Sequence, residues 1–136
     1  MLKFYRLATN LIGFLLPLIL QVRIYKNKED KNRYKEKLCI INRKRFPGKL
    51  VWFHAASVGE LMSILPVLEK LEKIQKIKTI LVTTNTKSSS KIFEKKIKSK
   101  KIIHQFFPYD RDDFAKKFLN HWLPNLIIFV ESEIWP

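Results

Sequence analysis

Leu50-Val51-Trp52-Phe53-His54-Ala55-Ala56-Ser57-Val58-Gly59-Glu60 decides the fold. The β-branched, aromatic and apolar start predicts a buried strand. The small residues and Gly59 predict a tight turn, and a helix begins near Glu60. Leu61, Ile64, Leu65, Leu68, Leu71 and Ile74 recur at helical spacing. Pro66 lies inside this helix, removes a backbone donor and predicts a kink. In an α/β sheet, ligands sit in the crevice beyond the carboxyl ends of the strands. His54, Ser57 and Glu60 fall at such an end. Each also has a plain structural use. His54 could be a packed core histidine, Ser57 a helix cap, and Glu60 a capping carboxylate in the favourable field of a helix N-terminus.

The chain continues in the same rhythm. Thr79 to Val82 predicts a second strand. Thr83, Thr84, Asn85, Thr86 and Ser88 to Ser90 make a hydroxyl-rich turn, which either touches a sugar or phosphate or caps the basic helix from Lys87 to Lys98. Ile102 to Phe107 is a third strand, ending in Pro108-Tyr109-Asp110. A helix from Arg111 to Trp122 turns Phe114, Phe118 and Leu119 to the sheet. Leu126 to Val130 is wholly apolar, which predicts a central fourth strand. Strands alternating with helices predict an α/β fold, a Rossmann-like parallel sheet. Its strand ends gather Glu60, Thr83 to Thr86, Asp110, Glu131 and Glu133 at one edge. The expected core is Val51, Phe53, Ile64, Leu68, Ile80, Val82, Ile103, Phe118, Ile127 and Phe129.

Ahead of this domain stand two different segments. Residues 1–27 carry the apolar run Leu11 to Leu20 and predict a membrane-associating helix. It is either a short span, for which about 20 apolar residues are needed, or a helix lying in the interface. The heavier positive flank, Arg23, Lys26 and Lys28, places the main body on the cytoplasmic side. Residues 28–49 are a basic connector. A surface helix from Lys26 to about Ile41 is expected there, then a loop through Pro47-Gly48. Its charge either holds anionic head groups or is a solvated face.

Composition narrows the partners. The 136 residues suffice for one domain, and 46% hydrophobic content excludes global disorder. Lys and Arg number 27 against 12 for Asp and Glu, a formal charge of +15. That predicts attraction to a polyanion, or a lysine-rich face with no partner. Only the charge speaks for nucleic acid, so none is expected; an anionic membrane surface fits the apolar amino terminus as well. One cysteine, Cys39, excludes an internal disulfide and a cysteine-built zinc site. Phosphate-loop, dinucleotide and nucleophile-elbow motifs are absent.

His54-Ala55-Ala56-Ser57-Val58-Gly59-Glu60 resembles the H-A-x-S-V-G-E segment of the bacterial 3-deoxy-D-manno-octulosonic acid (Kdo) transferases. Glu131-Ser132-Glu133-Ile134-Trp135-Pro136 resembles their E-T-E-x-W-P segment. Thr83-Thr84-Asn85-Thr86 and Pro108-Tyr109-Asp110 match in order and spacing, so the resemblance covers essentially the whole chain. It implies the amino-terminal half of a GT-B glycosyltransferase that moves Kdo from CMP-Kdo to the lipid A precursor at the cytoplasmic face of the inner membrane. It implies Glu60 as the catalytic base and an acceptor site around Ser57, Gly59, Thr83, Thr84, Asp110 and Glu131, with no cofactor and no metal. The family pattern departs at Ser89 and Cys39, where glycine is usual, and at Ser132, where threonine is usual. It also continues past Trp135-Pro136 into a donor-binding domain. Residues 50–136 are therefore expected to be an incomplete acceptor-side domain, inactive alone. The chain is either a fragment completed by a separate carboxyl-terminal chain, or a gene remnant or non-catalytic membrane-bound interaction module.

Overall fold

A computed structural model describes residues 1–130; Glu131, Glu133 and the rest of the Trp135-Pro136 motif lie outside the described residues. In chain order the elements are α1 (Leu2–Tyr25), a 3-10 helix (Tyr34–Leu38), β1 (Lys49–His54), α2 (Val58–Glu72), β2 (Ile77–Thr84), α3 (Lys87–Lys96), β3 (Ile102–Phe106), α4 (Asp112–Trp122) and β4 (Leu126–Phe129). The four strands are parallel in the order β3-β2-β1-β4. This is the α/β, Rossmann-like sheet that the alternating pattern predicts, preceded by a hydrophobic helix.

Side chains alternate across β1, so the sheet has two cores. Val51 and Phe53 pack with Leu61, Ile64, Leu68, Ile80, Val82 and Phe93 on one face. Leu50 and Trp52 pack with Leu81, Phe118, Trp122 and Cys39 on the other. Each fully buried side chain of this size stabilises the fold by about 1.5–3 kcal/mol.

Two expectations about the core need correction. Among the described residues β4 lies at the edge of the sheet and pairs with β1 alone. Ile127 and Phe129 are 40% and 45% exposed. Ile103 is half-buried, and Leu119 of α4 is exposed; Trp122, one turn after Phe118, fills that space. An apolar strand sequence is the same whether one or both of its sides are covered, so the pattern could not separate the two cases.

The connector also differs. Its only helix among the described residues is the five-residue 3-10 turn, which ends at Cys39 with φ +57°. That left-handed conformation costs an L-residue about 1–2 kcal/mol, and it falls at the position where the resemblance leads one to expect glycine. The Cys39 thiol is buried and donates to the Phe114 carbonyl at 3.3 Å.

Several connector charges face inward. Lys37 and Glu29 are 5% and 1% exposed. The Lys37 ammonium lies 2.7 Å from Glu29 Oε2 and donates to the Asn85 carbonyl at 2.8 Å. Arg23, at the end of α1, donates to the same carboxylate at 2.7 Å. The connector thus ties α1 to the turn that follows β2.

Candidate active site

Glu60 is the third residue of α2, and its placement follows from the local sequence. Ser57 is the N-cap, and its hydroxyl accepts the Glu60 N–H at 3.3 Å. Glu60 Oε2 reaches back to accept the Ala56 N–H at 2.6 Å. This is a capping box, shifted one residue outward on the return bond. It immobilises the side chain through one oxygen. Oε1 makes no hydrogen bond among the described residues, and the residue is half-buried at the carboxyl edge of the sheet. One oxygen held and one open suits a carboxylate that must accept a proton from a bound hydroxyl. Gly59 beside it has an ordinary backbone, and an added Cβ there would meet only Ser57 Oγ, at 4.0 Å. The glycine leaves room beside Glu60 and is not needed for the turn.

Beneath this turn His54 closes β1. Its Nδ1 lies 2.9 Å from Thr83 Oγ1, which also accepts the Trp52 indole N–H at 2.9 Å. Phe107 lies tilted against the ring and Phe129 meets it edge to face, with centroids at 4.2 and 5.7 Å. Burial pushes the imidazole pKa down, and the opposing field of Glu60 recovers part of the shift. His54 is therefore neutral at pH 7, and it is held by packing and hydrogen bonding together.

Thr84 is bonded in the same way. Its hydroxyl lies 2.8 Å from Nε2 of His104, whose Nδ1 lies 2.8 Å from an Arg33 nitrogen. Arginine can only donate. Nδ1 is then the acceptor, and the His104 proton sits on Nε2 and goes to Thr84 Oγ1. Burial, with the Arg33 charge second, holds this imidazole well below its ordinary pKa. Arg33 continues to Glu36, which accepts the Phe106 N–H at 3.0 Å.

The candidate residues thus separate into groups. Ser57, Gly59 and Glu60 are together at the rim. Thr83 and Thr84 are fully buried, their hydroxyls engaged by His54, Trp52 and His104. Asp110 is exposed and accepts the Tyr5 hydroxyl of α1 at 2.7 Å. Beside the strand ends lies an apolar recess of about 320 Å³ walled by Trp52, Phe107, Phe118 and Phe129. Among the described residues no cluster of three or more His, Cys, Asp or Glu could hold a metal ion. Sequence reasoning missed Arg33, Glu36, Lys37 and His104, which brace the strand ends from below. The signal for Glu36 and Lys37 was the segment ending at Cys39, which keeps the acid and a base of the family's approach motif; His104 in β3 carried none.

A family profile described as 3-Deoxy-D-manno-octulosonic-acid transferase (kdotransferase) matches residues 32–136, which takes in the Glu60 turn and every strand. The chain belongs to the Kdo transferase family. It is similar to the 3-deoxy-D-manno-octulosonic acid transferase of Rickettsia bellii, with 41% identity over 96% of this chain and 32% of that protein. The enzyme of the same name from Rickettsia felis is 47% identical over 64% of this chain and 18% of its own length. That of Haemophilus influenzae is 31% identical over 66% and 21%. The chain spans about a third or less of the length of these Kdo transferases. No solved structure matches.

Proposed function

We propose that residues 50–136 are the acceptor side of a Kdo transfer site and that Glu60 is its general base. The donor is CMP-Kdo and the acceptor the lipid A precursor, presented at the cytoplasmic face of the inner membrane. An acceptor hydroxyl attacks the anomeric carbon of Kdo. Its proton passes to the open oxygen of Glu60 as the bond to CMP breaks and the electron pair leaves with the phosphate. The observation that carries this reading is the Glu60 carboxylate itself, held through Oε2 by Ala56 and open at Oε1. Gly59 leaves space for the sugar to approach, and Ser57 fixes the helix start. Thr83 and Thr84 position the rim by holding His54 and His104. Asp110 and Glu131 complete the acceptor side.

The donor phosphates need a partner that stabilises the leaving charge, and the described residues contain no glycine-rich phosphate loop. Residues 1–136 alone are therefore expected to show no transfer. Joined to the remaining two-thirds of the Rickettsia bellii relative, they are expected to transfer Kdo from CMP-Kdo to lipid A precursor. Glu60→Gln in that hybrid should lower kcat by about 10²–10⁴-fold with little change in thermal stability. A hybrid that folds and stays inert would refute the transferase reading and favour a non-catalytic interaction module. An active hybrid indifferent to Glu60→Gln would remove Glu60 from the mechanism.

A further inference from the structure

We propose that α1 lies flat in the cytoplasmic surface of the membrane, with the α/β domain docked along one side and lipid along the other, and does not cross the bilayer. This rests on the membrane location given above and adds the geometry.

At 3.6 residues per turn, Tyr5, Thr9, Gly13, Leu16, Leu20 and Arg23 fall on one stripe of α1. That stripe is the docked one. Gly13, Leu16 and Leu20 are its buried residues. A Cβ on Gly13 would stand 2.8 Å from Arg111 Cδ, so the Arg111 side chain lies directly on the helix backbone. The Tyr5 hydroxyl donates to Asp110, Arg6 pairs with Asp112 at 3.5 Å, and Arg23 pairs with Glu29 at the far end. Contacts with the Asp110–Asp112 turn of the domain run from Tyr5 to Gly13, about 12 Å at 1.5 Å per residue, and the connector's Glu29 holds the far end of the helix at Arg23.

The opposite stripe is Phe4, Leu7, Leu11, Phe14, Leu18 and Val22. It holds no polar residue and stands free; Phe4, Phe14 and Leu18 are 77%, 87% and 70% exposed. Polar Lys3, Asn10 and Gln21 share one flank between the two stripes. The helix is long and apolar enough to cross a membrane, yet the face opposite its free stripe is already occupied by protein. Crossing the bilayer in the docked state would draw Asp110, Arg111 and Asp112 into hydrocarbon, where charges are costly. Crossing after undocking would expose Leu16 and Leu20 and break the two polar ties of Tyr5 and Arg6. Lying flat keeps the docking and buries the free stripe.

Charge complementarity identifies the occupant as an anionic lipid surface. At the carboxyl end of α1, Arg23 and Lys28 border a concavity with Lys87 and Lys91 of α3. Lys87 donates to Asn27 at 2.7 Å, which holds this basic rim at the carboxyl end of α1.

The test uses the full chain carrying Lys3→Cys and Lys28→Cys together. Cys39 is buried, and the unmodified chain serves as the control for its labelling. The protein is reconstituted by detergent removal into sealed vesicles of phosphatidylglycerol and phosphatidylethanolamine. It is then treated with a membrane-impermeant maleimide and read by intact mass. A flat α1 gives molecules labelled at both engineered thiols or at neither. A predominance of singly labelled molecules means the two ends lie on opposite sides and overturns the flat geometry while leaving membrane binding intact. Failure of the chain to float with the vesicles overturns the membrane location as well. In the supporting case, Leu11→Glu with Leu18→Glu lowers flotation at least tenfold with unchanged circular dichroism. Lys87→Gln and Lys91→Gln each lower binding about fivefold on anionic vesicles and leave binding to zwitterionic vesicles unchanged.

Discussion

Lys37→Met should be among the most damaging single substitutions in this chain, although it lies in a segment that reads as a solvated linker. Glu29 is 1% exposed and its carboxylate takes both oxygens to Lys37, at 2.7 and 2.8 Å. Methionine keeps most of the side-chain volume and removes the charge. Glu29 is then left with Arg23 alone, whose side chain is 43% exposed, and the Asn85 carbonyl loses its donor. Breaking a buried pair from one side costs about 3–5 kcal/mol, against a total stability of about 5–15 kcal/mol. For a domain of this size the melting temperature should fall by roughly 10–25 °C. Glu29→Met with Lys37→Met removes both charges, and replacing a buried pair by apolar groups is often close to neutral. The double variant should therefore lie within about 2 kcal/mol of the parent, giving a coupling energy of several kcal/mol. Urea unfolding of the four chains in the cycle measures it. Single variants that each cost under about 1 kcal/mol, or a double variant as costly as the singles summed, would refute the buried-pair account.

Three further outcomes follow from the same structure. His54 and His104 are held neutral by burial, so the unfolded chain binds their protons first as pH falls. Stability should be flat in this respect above about pH 6.5 and decline below it, by up to about 2.7 kcal/mol per pH unit if both contribute; equal urea midpoints at pH 7.5 and 5.5 would contradict this. Leu123 ends α4 at φ +44° and is 61% exposed, so Leu123→Gly should stabilise the chain by about 1 kcal/mol, seen as a raised melting temperature. Ser57→Ala removes the α2 cap and should cost about 1 kcal/mol, measurable by the same urea titration.

The parts legible in the sequence were those fixed by near neighbours. The strand of residues 50–54, the small-residue turn and the helical spacing from Leu61 are local patterns, and they placed Glu60 within three residues of a helix start. The family resemblance supplied a role for that residue which periodicity could not. The illegible parts depended on distant partners. Lys37 meets Glu29 and the Asn85 carbonyl, and Arg33 meets His104; nothing in a run of alternating charges says which of them turn inward. Cys39 breaks a glycine pattern in sequence while its backbone keeps the left-handed turn. β4 misled because an apolar strand looks the same with one neighbour or two. In α1 the free apolar stripe and the buried Gly13, Leu16 and Leu20 of the docked one merged into one hydrophobic run.

The position of β1 in the sheet has a kinetic meaning. β1 and β2 are joined by one helix, as are β2 and β3, so the β1-β2-β3 half closes through short loops. β4 reaches β1 only after the chain has passed through both other strands. Loop closure makes the first three strands the cheaper nucleus and β4 the last strand to dock. In residues 1–136, where β4 has one described neighbour, β4 amides should exchange with solvent ahead of those in β1 and β2. His54 is paired in register with Phe129, so each such opening removes the Phe129 contact from the His54 ring. The rim that carries Glu60 can therefore breathe without the remainder of the sheet coming apart.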